Sequence, residues 1–236
     1  METRILIGMR NNEEREAVVT IKLTHTQLDA AQKLHSRLDQ WGNTDAALSA
    51  LQQAMPGFAR EAALLKVAAI NQLYGTNVLA VSRMAEHVTD VMKGPALSGV
   101  DLVERLATLA PAVNSDGKTR KHVSFASKFA HFFIHESYAI YDSYAVQALA
   151  KHVKGSRHSG PPDYARFVEE IALLKSESGL TCSSRDMDRY LWLAGLLANW
   201  RRKQQNAPIN VEVKRMFERS ASDAEVKGLL HDLAPT

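Results

Sequence analysis

SFASKFAHFFIHESYAIYDSY, residues 124–144, decides how the rest of the chain is read. Its apolar positions, Phe125, Phe129, Phe132 and Phe133 among them, recur every three to four residues, the period of a helix with one buried face. A polar break at His135-Glu136-Ser137 interrupts that helix. Tyr141-Asp142-Ser143 then opens another, with Asp142 where an N-capping side chain would satisfy the first free amides.

Working outward, the same period dominates after the first twenty residues. Thr24 with Gln27 forms a capping box ahead of a helix expected to run to about Trp41. Asn43 or Thr44 is expected to cap a second helix, which stops near Pro56-Gly57. A third covers residues 58–73, with Ala62, Leu65, Ala69 and Leu73 on one stripe. Gly75 interrupts, and residues 78–92 resume as helix. Ser98 with Asp101 caps a short helix that Pro111 ends. Downstream, KGSRHSGPPD (residues 154–163) reads as a linker, followed by helices over residues 164–177, 185–203 and 211–219. Ser222 with Glu225 caps a last one. The only strand candidates are residues 5–7 and 18–23. The expected fold class is therefore all-α.

Composition bounds the function without naming it. The chain of 236 residues, 45% hydrophobic and 23% charged, suits one substantial domain or two small lobes. Its single cysteine, Cys182, excludes intrachain disulfides, a four-cysteine zinc site and a cysteine-held iron–sulfur cluster. A reducing, cytoplasmic setting fits best. The N-terminal apolar run is too short for a signal peptide, and no run approaches the ~20 residues of a membrane span. A net charge of +3 permits a polyanionic partner without requiring one.

Two residues in the opening stretch carry a chemical possibility. Lys128 lies in the first turns of the aromatic helix, just after the basic loop NSDGKTRK (residues 114–121). A lysine acts as a nucleophile only when its amine sheds its proton, which apolar surroundings promote by lowering the pKa. Asp142, fourteen positions on, stands at a helix start that favours its ionised form. Such a pair suits attack at an electron-poor sugar carbon: the carboxylate steadies a developing oxocarbenium cation and the amine captures it. The same residues also fit a solvated surface lysine and an N-capping aspartate, and spacing alone leaves both readings open.

The surrounding motifs add a resemblance. His122-Val123-Ser124-Phe125-Ala126-Ser127-Lys128 is similar to the P-G-[VI]-G-[TS]-K hairpin that precedes the catalytic lysine of helix-hairpin-helix DNA glycosylases. Ser124 and Ala126 stand at the two glycine positions. Ile140-Tyr141-Asp142-Ser143-Tyr144 resembles the segment carrying that family's catalytic aspartate, with Tyr144 where a histidine is frequent. Asn71-Gln72-Leu73-Tyr74-Gly75-Thr76-Asn77-Val78 resembles the family's L-S-x-Q-x-T-[DN]-V loop, with Tyr74 at the position that enters the duplex. SFASK, IYDSY and DRYLW (residues 188–192) are phrases of the bacterial 8-oxoguanine-glycosylase-like group. The Lys128–Asp142 interval is shorter than in better-known members by about one helical turn.

The resemblance implies a two-lobed helix-hairpin-helix fold with a cleft between its lobes. One lobe is expected over residues 60–136, hairpin-like element and catalytic lysine included. The other is expected to combine residues 1–59 with 137–236. It implies Lys128 as nucleophile and Asp142 as electrostatic stabiliser, with DNA contacts from Tyr74, Asn77, Ser124, Ser127 and Tyr144. Phe129 and Trp192 are candidates for a base pocket. The implied partner is double-stranded DNA carrying a modified base, with no cofactor, no metal and no membrane. His131 and His135, at i and i+4, read as packing or surface residues. Trp200 reads as core and Arg201-Arg202-Lys203 as a solvated helix end. The competing class is a non-catalytic helical protein that binds DNA or a protein partner.

Overall fold

Thr24 opens the first helix through a complete capping box. Its hydroxyl accepts the Gln27 amide at 3.2 Å, and the Gln27 side chain accepts the Thr24 amide at 2.9 Å. The structure, a computed structural model, describes residues 17–110, 121–155, 161–204 and 207–235. In chain order the elements are β1 (Val18–Val19), α1 (His25–His35), α2 (Asp39–Ala54), α3 (Arg60–Tyr74), α4 (Val81–Lys93), α5 (Gly99–Ala107) and α6 (Val123–Phe133). They continue with α7 (Ser143–His152), β2 (Val153–Lys154), α8 (Tyr164–Ser178), α9 (Ser184–Arg202), α10 (Val211–Arg219) and α11 (Ala224–Asp232). The fold is all-α, apart from the two-residue antiparallel pairing of β1 with β2, in which Val18 faces Lys154 and Val19 faces Val153.

The chain divides into two compact units: Met1–Leu38, Asp142–Pro161 and Arg166–Thr236 form unit 1, while Asp39–Tyr141 and Pro162–Ala165 form unit 2. The termini share a unit, and the division falls at the Tyr141–Asp142 bond. It also falls between Leu38 and Asp39, so α2 goes with unit 2, whereas the sequence grouped it with the terminal helices up to residue 59. The reason is packing: Trp41 of α2 lies against the Tyr74 ring of α3, with centroids 5.6 Å apart, and α2 also packs on α6.

Unit 1 is organised on α9, which buries Met187, Tyr190, Leu191, Leu193, Ala194, Leu196, Leu197 and Trp200. Helices α1 and α7 pack on it. The α7 approach depends on Gly195, where an added Cβ would lie 2.0 Å from the Tyr144 carbonyl oxygen. Fully buried His152 ties three segments together, with Nδ1 donating to the Ile21 carbonyl at 2.8 Å and Nε2 accepting from the Tyr190 hydroxyl at 2.6 Å. Burial lowers the His152 pKa, against a smaller opposing effect of the Ile21 carbonyl. Trp200, in the core as expected, packs on Phe217 with centroids 5.4 Å apart.

Unit 2 is built from α2 to α6. Phe125, Phe129 and Phe133, one helical turn apart on α6, stack in succession with centroid separations of 5.6 and 5.2 Å. Phe58 adds to them, 5.8 Å from Phe129.

Several boundaries depart from the sequence reading. The first helix ends at His35, not near Trp41, because buried Leu38 anchors a turn there. Helix α2 then runs through Gly42, Asn43 and Thr44, and the Thr44 hydroxyl bonds back to the Gln40 carbonyl at 2.9 Å where a cap was expected. On α3 the buried face carries Ala62, Ala63, Lys66, Val67 and Ile70, whereas Leu65 and Leu73 are 48% and 42% exposed. The expected stripe is turned by about one residue, or ~100° around the helix. The last cap is Asp223, whose carboxylate accepts the Glu225 and Val226 amides, and not Ser222. Of the strand candidates, residues 18–23 contribute only Val18–Val19, while residues 5–7 lie outside the described residues, as do most of the basic loop and half of the linker.

Candidate functional site

Helix α6 begins without a side-chain cap, but the approach to it is held. The Lys121 ammonium bonds Glu104 at 2.6 Å, Thr108 and Lys121 form an antiparallel bridge, and the His122 amide donates to the Ala107 carbonyl at 2.8 Å. Helices α5 and α6 pack on each other across this connection. Ser124 to Lys128 are helical, with the Ala126 amide already bonded to the His122 carbonyl at 2.9 Å. The hairpin expected at these residues is therefore not there. With serine and alanine in place of two glycines, the backbone takes ordinary αR geometry.

Lys128 is buried at 3% exposure. Its Nζ donates to the Ser124 hydroxyl at 2.8 Å and to the Tyr141 carbonyl at 3.3 Å, and lies 5.9 Å from the centroid of the Tyr74 ring. Fully buried Ser127 accepts the Tyr141 amide at 2.9 Å and donates to the Ser124 carbonyl at 3.3 Å. One turn of α6 thus grips both backbone groups of Tyr141, the residue that precedes Asp142. The solvated lysine that spacing alone allowed is not what the chain builds.

Asp142 is half-buried and caps α7, its Oδ1 accepting the Tyr144 amide at 2.8 Å. The capping reading thus holds. Tyr144 is half-buried. Burial, then the Asp142 charge, pushes its hydroxyl pKa up, so the phenol stays protonated.

Tyr74 closes α3 and is half-buried. Its ring packs on Trp41 and on Phe132, 5.3 Å away, and its hydroxyl donates to Asp45 at 3.2 Å. Gly75 caps α3 in the left-handed region, at φ 57°, and Asn77 follows at φ 56°. The Asn71 side chain holds this loop, its Oδ1 accepting the Val78 amide at 2.8 Å and its Nδ2 donating to the Val78 carbonyl at 3.1 Å.

The base-pocket candidates part company. Phe129 has no exposed surface and belongs to the aromatic core of unit 2, so its ring is not open to a ligand. Trp192 of unit 1 is half-buried, in edge contact with His35 at 6.3 Å between centroids. His131 bonds the Tyr138 carbonyl through Nδ1 at 2.8 Å, and exposed His135 bonds Ser137. Among the described residues no group of three or more metal-ligating side chains comes together, and no helix is long and apolar enough to cross a membrane.

One residue escaped the sequence reading. Lys66 is fully buried, its Nζ donating to the Gly57 carbonyl at 2.7 Å and lying 4.6 and 5.3 Å from the Phe58 and Phe133 ring centroids. Burial pushes its pKa down. The available signal was its place on the i, i+3, i+4 pattern of Ala62, Ala63, Val67 and Ile70, which a lysine is normally taken to interrupt.

Comparison with known proteins adds one match: a family model described as HI_0787_N, N-terminal domain, covers residues 24–138, which includes Tyr74 and Lys128 and stops before Asp142. No curated protein and no solved structure matches the chain.

Proposed function

We propose that the protein is a DNA glycosylase that removes a modified base. In the proposed reaction the Lys128 amine, as the free base, forms a bond to C1′ of the nucleotide while the N-glycosidic bond breaks. The departing base takes that electron pair and a proton. The Asp142 carboxylate stabilises the positive charge that builds on the sugar ring. The adduct opens as its C1′–O4′ bond breaks and a proton passes from the lysine nitrogen to O4′, which leaves a Schiff base; loss of a C2′ proton to solvent then breaks the C3′–O bond and expels the 3′ phosphate by β-elimination. No metal or cofactor takes part in this scheme. Two substrate classes suit it, a bulky modified cytosine of phage DNA and an oxidised guanine, and the divergence of the motifs from the repair pattern favours the first.

One observation carries the reading: Lys128 is buried, its amine 5.9 Å from the centroid of the Tyr74 ring and directed at the backbone of the residue before Asp142. Borohydride reduction in the presence of a duplex with an abasic site tests it. A covalent protein–DNA adduct is expected from the wild type and none from Lys128→Ala, which keeps much of its DNA affinity because many phosphate contacts hold a duplex. Base release undiminished by Lys128→Ala removes this amine from the mechanism.

The second reading is a non-catalytic helical module that binds DNA or a protein partner. It is favoured by the absence of the hairpin at Ser124–Lys128 and by the cap at Asp142. It predicts binding that weakens with salt when DNA is the partner, and no adduct under any condition.

A further inference from the structure

We propose that Leu79, and not Tyr74, is the side chain that enters the base stack; this rests on the DNA-glycosylase reading above. Chemistry on a base requires that the nucleotide leave the duplex, and an apolar side chain entering the vacated step keeps the stack from closing. Such a side chain must meet three requirements: it must be open to solvent, apolar, and mounted on backbone that does not have to be ordered on contact.

Leu79 meets all three. It is 90% exposed, more than any other large hydrophobic side chain among the described residues. Its loop is fixed from both sides. Gly75 turns the chain out of α3 at φ 57°, Asn77 turns it again at φ 56°, and Val78 is buried at 2% exposure. The Asn71 side chain holds both backbone groups of Val78, the residue bonded to Leu79, and also accepts the Thr76 hydroxyl at 3.0 Å. Helix α4 begins two residues later at Val81. Leu79 buries almost nothing for its own unit, yet the loop presents it rigidly. It stands five residues from Tyr74, whose ring faces the Lys128 amine, so at most ~18 Å of chain separates the two.

Tyr74 meets the requirements poorly. To enter a duplex its ring would have to leave Trp41 and Phe132 and its hydroxyl would have to leave Asp45. Leu64, Leu65 and Leu73 are only 39–48% exposed and belong to the side of α3, a helix and not a projecting loop.

The test uses a duplex carrying one tetrahydrofuran abasic analogue, which already contains the gap, beside the same duplex intact. Binding of wild type, Leu79→Ala and Leu79→Met to both is measured by fluorescence anisotropy, with thermal unfolding to verify that the exposed substitutions leave the fold unchanged. Wild type is expected to prefer the gapped duplex. Leu79→Ala is expected to lose roughly tenfold of that preference with little change on intact DNA, and Leu79→Met to keep it. A full preference in Leu79→Ala overturns the assignment. Borohydride trapping of wild type on an abasic duplex, run in parallel, separates the two levels. A Lys128-dependent adduct together with an unaltered preference removes Leu79 and leaves the enzyme reading standing. No adduct and no preference in the wild type removes both.

Discussion

Replacing Asp142 by asparagine separates the cap that its carboxylate forms from the catalytic role proposed for it. The cap is a single bond, Oδ1 to the Tyr144 amide at 2.8 Å, and an asparagine carbonyl oxygen makes the same bond about equally well. What stability loses is the attraction between a carboxylate and the N-terminus of α7, ~0.3–1 kcal/mol at a partly exposed site. For a chain of this size that lowers the melting temperature by no more than about 4 °C. On the glycosylase reading catalysis would lose the whole charge, and removing one preorganised electrostatic group costs ~3–4 kcal/mol of barrier, or two to three decades in rate. The assay is single-turnover base release under saturating enzyme, on a substrate identified by mass spectrometry of bases freed from a panel of modified DNAs. A separate optical readout reports the local charge: without Asp142 the Tyr144 hydroxyl should ionise at lower pH, because part of its upward shift comes from that carboxylate. If Asp142→Asn shows the expected tyrosine titration and fold yet releases base at a near-normal rate, Asp142 is only a cap. Most of the case for a glycosylase then falls with it.

Three further substitutions test the packing of the fold. Gly195→Ala should destabilise unit 1 by about 3 kcal/mol or more, since its Cβ would lie 2.0 Å from the Tyr144 carbonyl. Gly228→Ala, with nothing within 4 Å of its Cβ, should stabilise α11 by about 0.5–1 kcal/mol, and thermal unfolding of the pair measures both. Lys66→Met should stabilise the protein at pH 7 by about 1–2 kcal/mol, because a buried ammonium held by one carbonyl and two rings gives way to an apolar side chain of similar volume. A lysine whose folded pKa lies below its unfolded value is penalised fully below the folded pKa and not at all above the unfolded one. The advantage of Lys66→Met should therefore shrink as pH rises toward the ordinary lysine range, with denaturation midpoints at neutral and alkaline pH as the measurement.

Features that depend on a few adjacent residues were legible in the sequence. The Thr24–Gln27 capping box, the Asp142 cap and the left-handed stop at Gly75 all lie where spacing put them. Features set by tertiary contact were not. Trp41 looked like a helix end because Gly42 and Asn43 follow it, but its packing on Tyr74 carries the helix through them. The α3 face was misplaced because Lys66 scores as polar, and nothing local announces that Gly57, Phe58 and Phe133 enclose it. The aromatic positions around Lys128 suggested apolar surroundings, and the amine is indeed buried. Its bond to Tyr141 depends on a fold-level return of the chain that periodicity does not encode.

The helix at Ser124–Lys128 changes what the motif likeness means. In a glycine hairpin the backbone amides are free to meet a phosphate, and the lysine follows as a separate feature. Here the Ala126 amide is already bonded to the His122 carbonyl, and those that follow belong to the helix ladder. Ser124 at the first glycine position has another use, its hydroxyl holding the Lys128 Nζ at 2.8 Å. Ser127 is likewise spent on Tyr141. Residues that the resemblance would aim at DNA instead support the lysine and the approach to Asp142. Duplex affinity in such an enzyme would draw on Lys/Arg side chains, whose phosphate contacts give a salt dependence. A glycosylase built this way would retain its nucleophile and its carboxylate while replacing the phosphate grip that normally accompanies them. Lys128 and Asp142 can therefore be tested for catalysis without assuming that the Ser124 segment touches DNA.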